Sequence, residues 1–511
     1  MAQPIWPRVP PSFVKGQLIA HKLLGLTLAA VMYLVCITGA IAVFYGEFER
    51  WEQPGVPEMS YASPEAVGRA VAHARAHIAE SGAAPADVYV ITPSAEMPRL
   101  LIDYETDVLA FDSNGAYAGS GAHELTHFLT ELHYALHLPW QIGFITVGIL
   151  GVLLVALIVG GALALPRMFR DAFTLRLDGG RRLSRVDIHN RLAVWGLPFH
   201  LLVAASGAVM GVAMVAIAVA GPMLFTGDAA RAMAAIYGDP AAIAEQAHQG
   251  GPPPTSVAPE PQIVAALHSL ARERPDNPPI YMALNQFNTP NEIASIGAGH
   301  ADRLIYSETY RFDSSGALMS ADGYAEGETG RQIMASMFRI HAGAFGGMTV
   351  KLLYLALGLA LSFICTTGVD IWLAKSAARG RFYPRLQSTW TAFVWATPAM
   401  LALAGALHLM WGVPPVTVFW SGLLALSLMG VWTPQTIVHW LAPLLAGVMV
   451  LTLPAAHALQ FGANAAAAVA LAINLSFVAV ACGLIALAVR NRYRRAATPS
   501  LAETPPLAAP Q

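Results

Sequence analysis

The strongest constraint on this chain is a set of apolar stretches too long for a soluble core. A helical bilayer span needs about 20 mostly apolar residues. Eight stretches qualify, at about 15–45 (apolar core 23–45), 142–165, 192–220, 349–373, 391–411, 415–432, 437–459 and 464–489. The first is too long for a signal-peptide core and lacks a small-residue cleavage site, so it is expected to stay on the chain. With 55% hydrophobic and only 12% charged residues, a soluble enzyme is a poor fit. A net charge of −2 offers nothing to a nucleic acid. The expected fold class is a polytopic α-helical membrane protein with about eight transmembrane helices embedded in the lipid bilayer.

Basic residues set the expected orientation. Arg8, Lys15 and Lys22 precede the first span, seven arginines from Arg167 to Arg191 fill the link 166–191, and Lys375, Arg379, Arg381 and Arg385 follow the fourth. The run RNRYRR (490–495) follows the last span. If eight helices alternate, all of these lie on one side, which places both termini in the cytoplasm of a bacterium. The long segments 46–141 and 221–348 then lie in the periplasm, outside an inner membrane. The Pro/Ala-rich tail 496–511 is expected to be disordered. Cys36, Cys365 and Cys482 all sit in apolar runs without CxxC spacing, which argues against disulfides, thiolate metal sites and cysteine catalysis.

The chain repeats itself. Each outer segment carries a helical pattern, strand-like pieces and the same turn, Phe111-Asp-Ser-Asn-Gly in the first and Phe312-Asp-Ser-Ser-Gly in the second. Two small α+β modules are implied. His21 precedes Gly39 by 18 residues, as His189 precedes Gly207. His133 precedes Gly160 by 27, as His341 precedes Gly368. A helix–module–helix unit is therefore present twice, each copy with two matched histidines.

In the expected topology His21 and His189 enter from the cytoplasmic face, His133 and His341 from the periplasmic face. Two imidazoles at each face are what two stacked bis-histidine b-type haems require, since neutral imidazole is a good iron ligand and bundles build such sites between facing helices. Gly39 and Gly207, about 27 Å along their helices from His21 and His189, would sit near the opposite haem. The glycines of RIHAGAFGG (339–347) are expected to let a porphyrin approach the backbone. Lys22, Arg191 and Lys351 are expected propionate partners. His200 follows His189 by 11 residues, on the same face of a straight helix and some 16.5 Å away, and is a secondary ligand candidate. His137, one turn beyond His133, is another. His123-Glu-Leu-Thr-His127 matches HExxH, which places two zinc ligands and a base on one helix face. No third ligand is evident, so His123 and His127 are a weak zinc or iron candidate.

HKLLGL with ITGAIAVF, LHYALHLP, HNRLAVWGLPFH and HAGAFGGMTVKLLYLALG, in this order over about residues 15–385, resemble the PepSY-associated transmembrane family. The outer segments resemble PepSY domains, including the FDxxG ending. That resemblance implies an inner-membrane reductase holding two haem b groups, ligated by His21, His133, His189 and His341, that reduces ferric siderophores after import. Residues 386–490 depart from the shorter relatives as a C-terminal four-helix extension, containing His408, His439 and His457. Interfacial anchoring is the commoner role for its polar and aromatic residues.

The expected function is thus electron transfer, from membrane quinol or a separate reductase, to a ferric siderophore or other ferric chelate. No GxGxxG dinucleotide fingerprint follows a strand. Competing readings are a siderophore or iron permease without stable haem, a PepSY-type regulator of envelope peptidases, and a zinc peptidase.

Overall fold

The computed structural model describes residues 10–104, 107–165, 180–224, 261–289, 292–312, 316–327 and 329–496. Most of the basic link, residues 225–260 and the tail beyond Ala496 lie outside them. The chain divides into two compact units, Met1–Cys365 and Thr366–Gln511.

The first unit opens with α1 (Pro11–Ala42), α2 (Tyr45–Glu52), α3 (Pro64–Ser81), β1 (Asp87–Ile91), β2 (Leu100–Tyr104), β3 (Asp107–Phe111), β4 (Tyr117–Ser120), α4 (Glu124–Tyr134) and α5 (Trp140–Leu163). The series recurs as α6 (Gly180–Trp195), α7 (Leu197–Leu224), α8 (Pro261–Glu273), β5 (Pro279–Asn285), β6 (Ile293–Ala298), β7 (Glu308–Phe312), β8 (Leu318–Ala321), α9 (Thr329–Ala342) and α10 (Gly347–Ala377). The second unit begins within α10 and continues with α11 (Pro384–Trp411), α12 (Pro415–Trp432), α13 (Gln435–Phe461) and α14 (Ala468–Ala496). Among the described residues seven helices are long and apolar enough to cross a membrane, or eight if α6 and α7 form one broken span.

That pair is bent by 66°. The straight third span expected from the sequence is therefore replaced by two helices, and His189 and His200 do not share one helix face. The cause is local: Gly196 has no side chain to hold the turn, and Pro198 has no N–H to continue the ladder.

The two α+β segments form one structure. Their strands make a single antiparallel sheet in the order β4-β3-β2-β1-β5-β6-β7-β8, joined where Val88 pairs Leu284 and Val90 pairs Met282. Each half is a meander, and like strand meets like strand at the centre, the arrangement of a pseudo-two-fold contact. Alternation puts Val88, Val90, Leu100, Ile102, Met282, Leu284 and Ile296 on one face, where Ala70, Ala74 and Ile78 of α3 and Ile263, Ala266 and Leu270 of α8 cover them. The glycine that ends the repeated motif takes the same conformation in both halves. Gly115 and Gly316 take φ of 77° and 79°, and a Cβ there would lie 2.1 Å from the Ala66 carbonyl oxygen or 2.6 Å from Ala265 Cβ, so only glycine fits.

Glu52, only 4% exposed, accepts from the Leu125 and Thr126 amides and the Thr126 hydroxyl, and so caps α4 from another element. Burial pushes its carboxyl from the ordinary 4.5 up to about 7, against the pull of those donors and of His123. An acid whose folded pKa exceeds its unfolded one binds more protons when folded, so its contribution to stability is full below about 4.5 and is lost as pH rises through about 7. Thermal unfolding of wild type and Glu52→Gln across pH 4 to 8 should show a decline in this window that is flattened in the variant. Parallel slopes would remove Glu52 as the cause.

Candidate functional site

The first unit contains a cavity of about 530 Å³ lined almost wholly by apolar groups. His133 and His341 face each other across it, ring centroids 5.9 Å apart and planes 26° from parallel. An imidazole–metal bond is about 2 Å, so two in line set the liganding nitrogens about 4 Å apart and the centroids about 2 Å further. The observed spacing suits one metal shared by both rings. Gly39, Gly148, Gly151, Gly207, Gly211 and Gly358 also line it: Gly39 and Gly207 make room for the two imidazoles, and the other four let neighbouring helices pack closely, Gly148 against Gly211, Gly151 against Ala208 and Gly358 against Ala40.

The two histidines reach this position on α4 and α9, which precede the spanning helices α5 and α10 across sharp turns. In the second copy Gly343, Gly346 and Gly347 take φ of 66°, 72° and 65°. These glycines of RIHAGAFGG therefore reverse the chain, and none of them lines the cavity, contrary to the sequence expectation. In the first copy the turn carries positive φ at Leu136 and His137 instead. His137 stacks on Phe128 at 4.9 Å and donates from Nε2 to the Phe128 carbonyl at 2.8 Å, so it braces the turn.

Hydrogen bonding fixes the imidazoles. His133 Nδ1 lies 2.9 Å from the Val35 carbonyl oxygen, and His21 Nδ1 lies 2.9 Å from that of Leu157. A carbonyl only accepts, so Nδ1 carries the proton and Nε2 keeps its lone pair. His341 bonds the Val203 carbonyl, with Nδ1 3.0 Å from Ser206 Oγ, and His189 bonds the Ile364 carbonyl. Burial first and His133 second push His341, which sits on α9 outside the spanning helices, down to about 4, so its ring is neutral. His189 lies within electrostatic range of His21, the histidine matched to it in the other copy.

His200 is 2% exposed and donates from Nε2 to the Leu357 carbonyl at 3.2 Å, the opposite nitrogen from His21 and His133, and it does not line the cavity. Lys351 bonds both oxygens of Glu47 at 2.8 Å, so its charge is matched within the protein rather than by a propionate. His123 lies 3.7 Å from Glu49, whereas His127 is 63% exposed and 3.9 Å from Glu131. The HExxH histidines are thus directed to different carboxylates, and no group of three metal-ligating side chains occurs among the described residues.

Cys36, which lines the cavity, is hydrogen-bonded to Cys365 on α10; both thiols are free. In the second unit His457 is fully buried with Nδ1 3.1 Å from Asn474 Nδ2, a satisfied pair between α13 and α14. His408 Nδ1 lies 3.3 Å from the Val413 carbonyl oxygen, and the His439 carbonyl accepts from Asn491.

Rings lead away from the cavity. Phe338, on its wall, meets Tyr306 at 5.7 Å, Tyr306 meets Tyr281 at 6.3 Å, and Tyr281 shares with Tyr89, which is 43% exposed, the sheet face opposite α3 and α8. Pattern reading missed this file because its members are far apart in sequence.

An uncharacterized protein of Pseudomonas aeruginosa is 27% identical to this chain over 326 residues, covering 60% of this chain and 80% of that protein. The family model of the PepSY-associated TM region matches residues 18–375, the stretch that carries both histidine pairs and the joined sheet. The chain is a multi-pass membrane protein that belongs to the PepSY-associated transmembrane family.

Proposed function

We propose that this protein is an inner-membrane dihaem oxidoreductase that reduces a ferric siderophore or other ferric chelate in the periplasm. The observation that carries the reading is the set of four histidines, each tied through a hydrogen bond to the carbonyl of a neighbouring helix. Metal-ligating histidines need that outer partner to hold tautomer and orientation. His133 and His341 would hold one haem b in the apolar cavity, and His21 and His189 the other. When bound, haem supplies one-electron chemistry through its iron. The chain would hold the liganding nitrogens, surround the group with apolar side chains and, through the ring file, lead from that cavity to the sheet face where a chelate would approach. Membrane quinol or a separate reductase is the donor. In this reading the joined sheet is a pair of PepSY modules outside the membrane, and about eight helices span.

A dithionite-reduced minus oxidised spectrum of the detergent-purified full chain, with a pyridine haemochrome count, tests it. About two low-spin b-type haems per chain are expected. A flat spectrum from cells supplied with ample haem would reject the reductase in favour of a permease.

A further inference from the structure

The carbonyls that tether the histidines share a feature that their sequence spacing obscures. Val35 precedes Gly39 by four residues, Leu157 precedes Gly161 by four, Val203 precedes Gly207 by four, and Ile364 precedes Gly368 by four. Three of these glycines have an imidazole against them. A Cβ at Gly39 would lie 2.5 Å from His133 Cε1, at Gly207 2.9 Å from His341 Cε1, and at Gly161 3.0 Å from His21 Cε1.

Helix geometry supplies the reason. The oxygen of residue i already accepts from the amide of residue i+4, and a side chain at i+4 crowds its remaining lone pair. Glycine uncovers that lone pair for a donor from another helix, although it costs roughly 1 kcal/mol relative to alanine in a helix interior. A buried hydroxyl residue stands before the glycine in three of the four sites, Thr38, Ser206 and Thr367. Thr38 bonds back to the Leu34 and Val35 carbonyls at 2.7 and 3.3 Å, and Ser206 to those of Leu202 and Val203 at 2.8 and 3.2 Å. With its proton turned to the helix, the Ser206 oxygen is left to accept from His341 Nδ1.

The 27-residue register points to Gly160, yet the structure seats His21 on Gly161, and Gly160 meets only the flexible end of Gln17. The first copy has one more residue in the turn between its short helix and its span, 135–139 against 343–346, and this moves the seat along by one.

We propose that Gly39, Gly161 and Gly207 are positioning residues, each opening a helix carbonyl as a seat that holds one histidine in the Nδ1–H form with Nε2 free for iron. The use of Nε2 rests on the haem reading; the seats do not. Two measurements on the full chain keep the two claims apart. In 15N-histidine-labelled protein produced under haem depletion, the seats require three Nδ1–H imidazoles, at His21, His133 and His341, whereas imidazole in water prefers Nε2–H. Retention of Nδ1–H in a chain that never takes up haem would support the seats while rejecting the haem reading. In haem-loaded protein, Gly39→Ala and Gly161→Ala should each abolish the low-spin signature of one haem and shift its midpoint potential, while Gly160→Ala leaves both as in wild type. Nε2–H forms at His21 and His133 would overturn the proposal. So would wild-type spectra and potentials in both Gly39→Ala and Gly161→Ala.

Discussion

Replacing His341 by alanine is expected to lower the haem content of the purified chain from about two to about one, with loss of the α band of one centre only. His133 would then face an open wall, since its partner ring is 5.9 Å away and no other histidine among the described residues lines that cavity. His21 and His189 belong to the other pair and keep their tethers to Leu157 and Ile364. The same loss is expected for His133→Ala. His137→Ala and His200→Ala should retain both centres, because these rings are committed through Nε2 to the Phe128 and Leu357 carbonyls. Paired spectra and haemochrome counts of the four variants decide the ligand set. A haem lost with His137 or His200 but kept without His341 would show that the wrong histidines have been chosen.

The second large effect concerns stability. Lys351 and Glu47 form a nearly buried ion pair, side chains 9% and 15% exposed, beside the turn that leads into α10. Removing one member of such a pair leaves a desolvated charge and costs about 3–5 kcal/mol, whereas replacing both with neutral groups of similar volume is close to neutral. Lys351→Met should therefore lower the thermal midpoint in detergent markedly, and Lys351→Met combined with Glu47→Gln should recover most of the loss. If the double variant is no more stable than the single, the carboxylate is not the source of the penalty. The pair also accounts for a lysine at this depth without any ligand.

What the sequence determined by itself is periodic and local. Long apolar runs can bury their backbone only as helices in a bilayer, so the spanning helices were legible, as were the duplicated FDxxG turns, whose positive-φ glycines only a residue without Cβ can fill. The four histidines stood out because duplication kept them in register. Tertiary structure decided everything that depends on one copy meeting the other. The joining of two modules into one eight-stranded sheet comes from pairing β1 with β5, a contact between segments almost two hundred residues apart. The choice of Gly161 over Gly160 follows from a single extra turn residue, which spacing counts absorb without notice. The bend at Gly196 separates His200 from His189, where an ideal helix would align them. The RIHAGAFGG glycines looked like cofactor contacts because glycine permits both close approach and positive φ, and only backbone angles distinguish the two. A sequence states which residues are able to meet; the path of the chain between them decides which ones do.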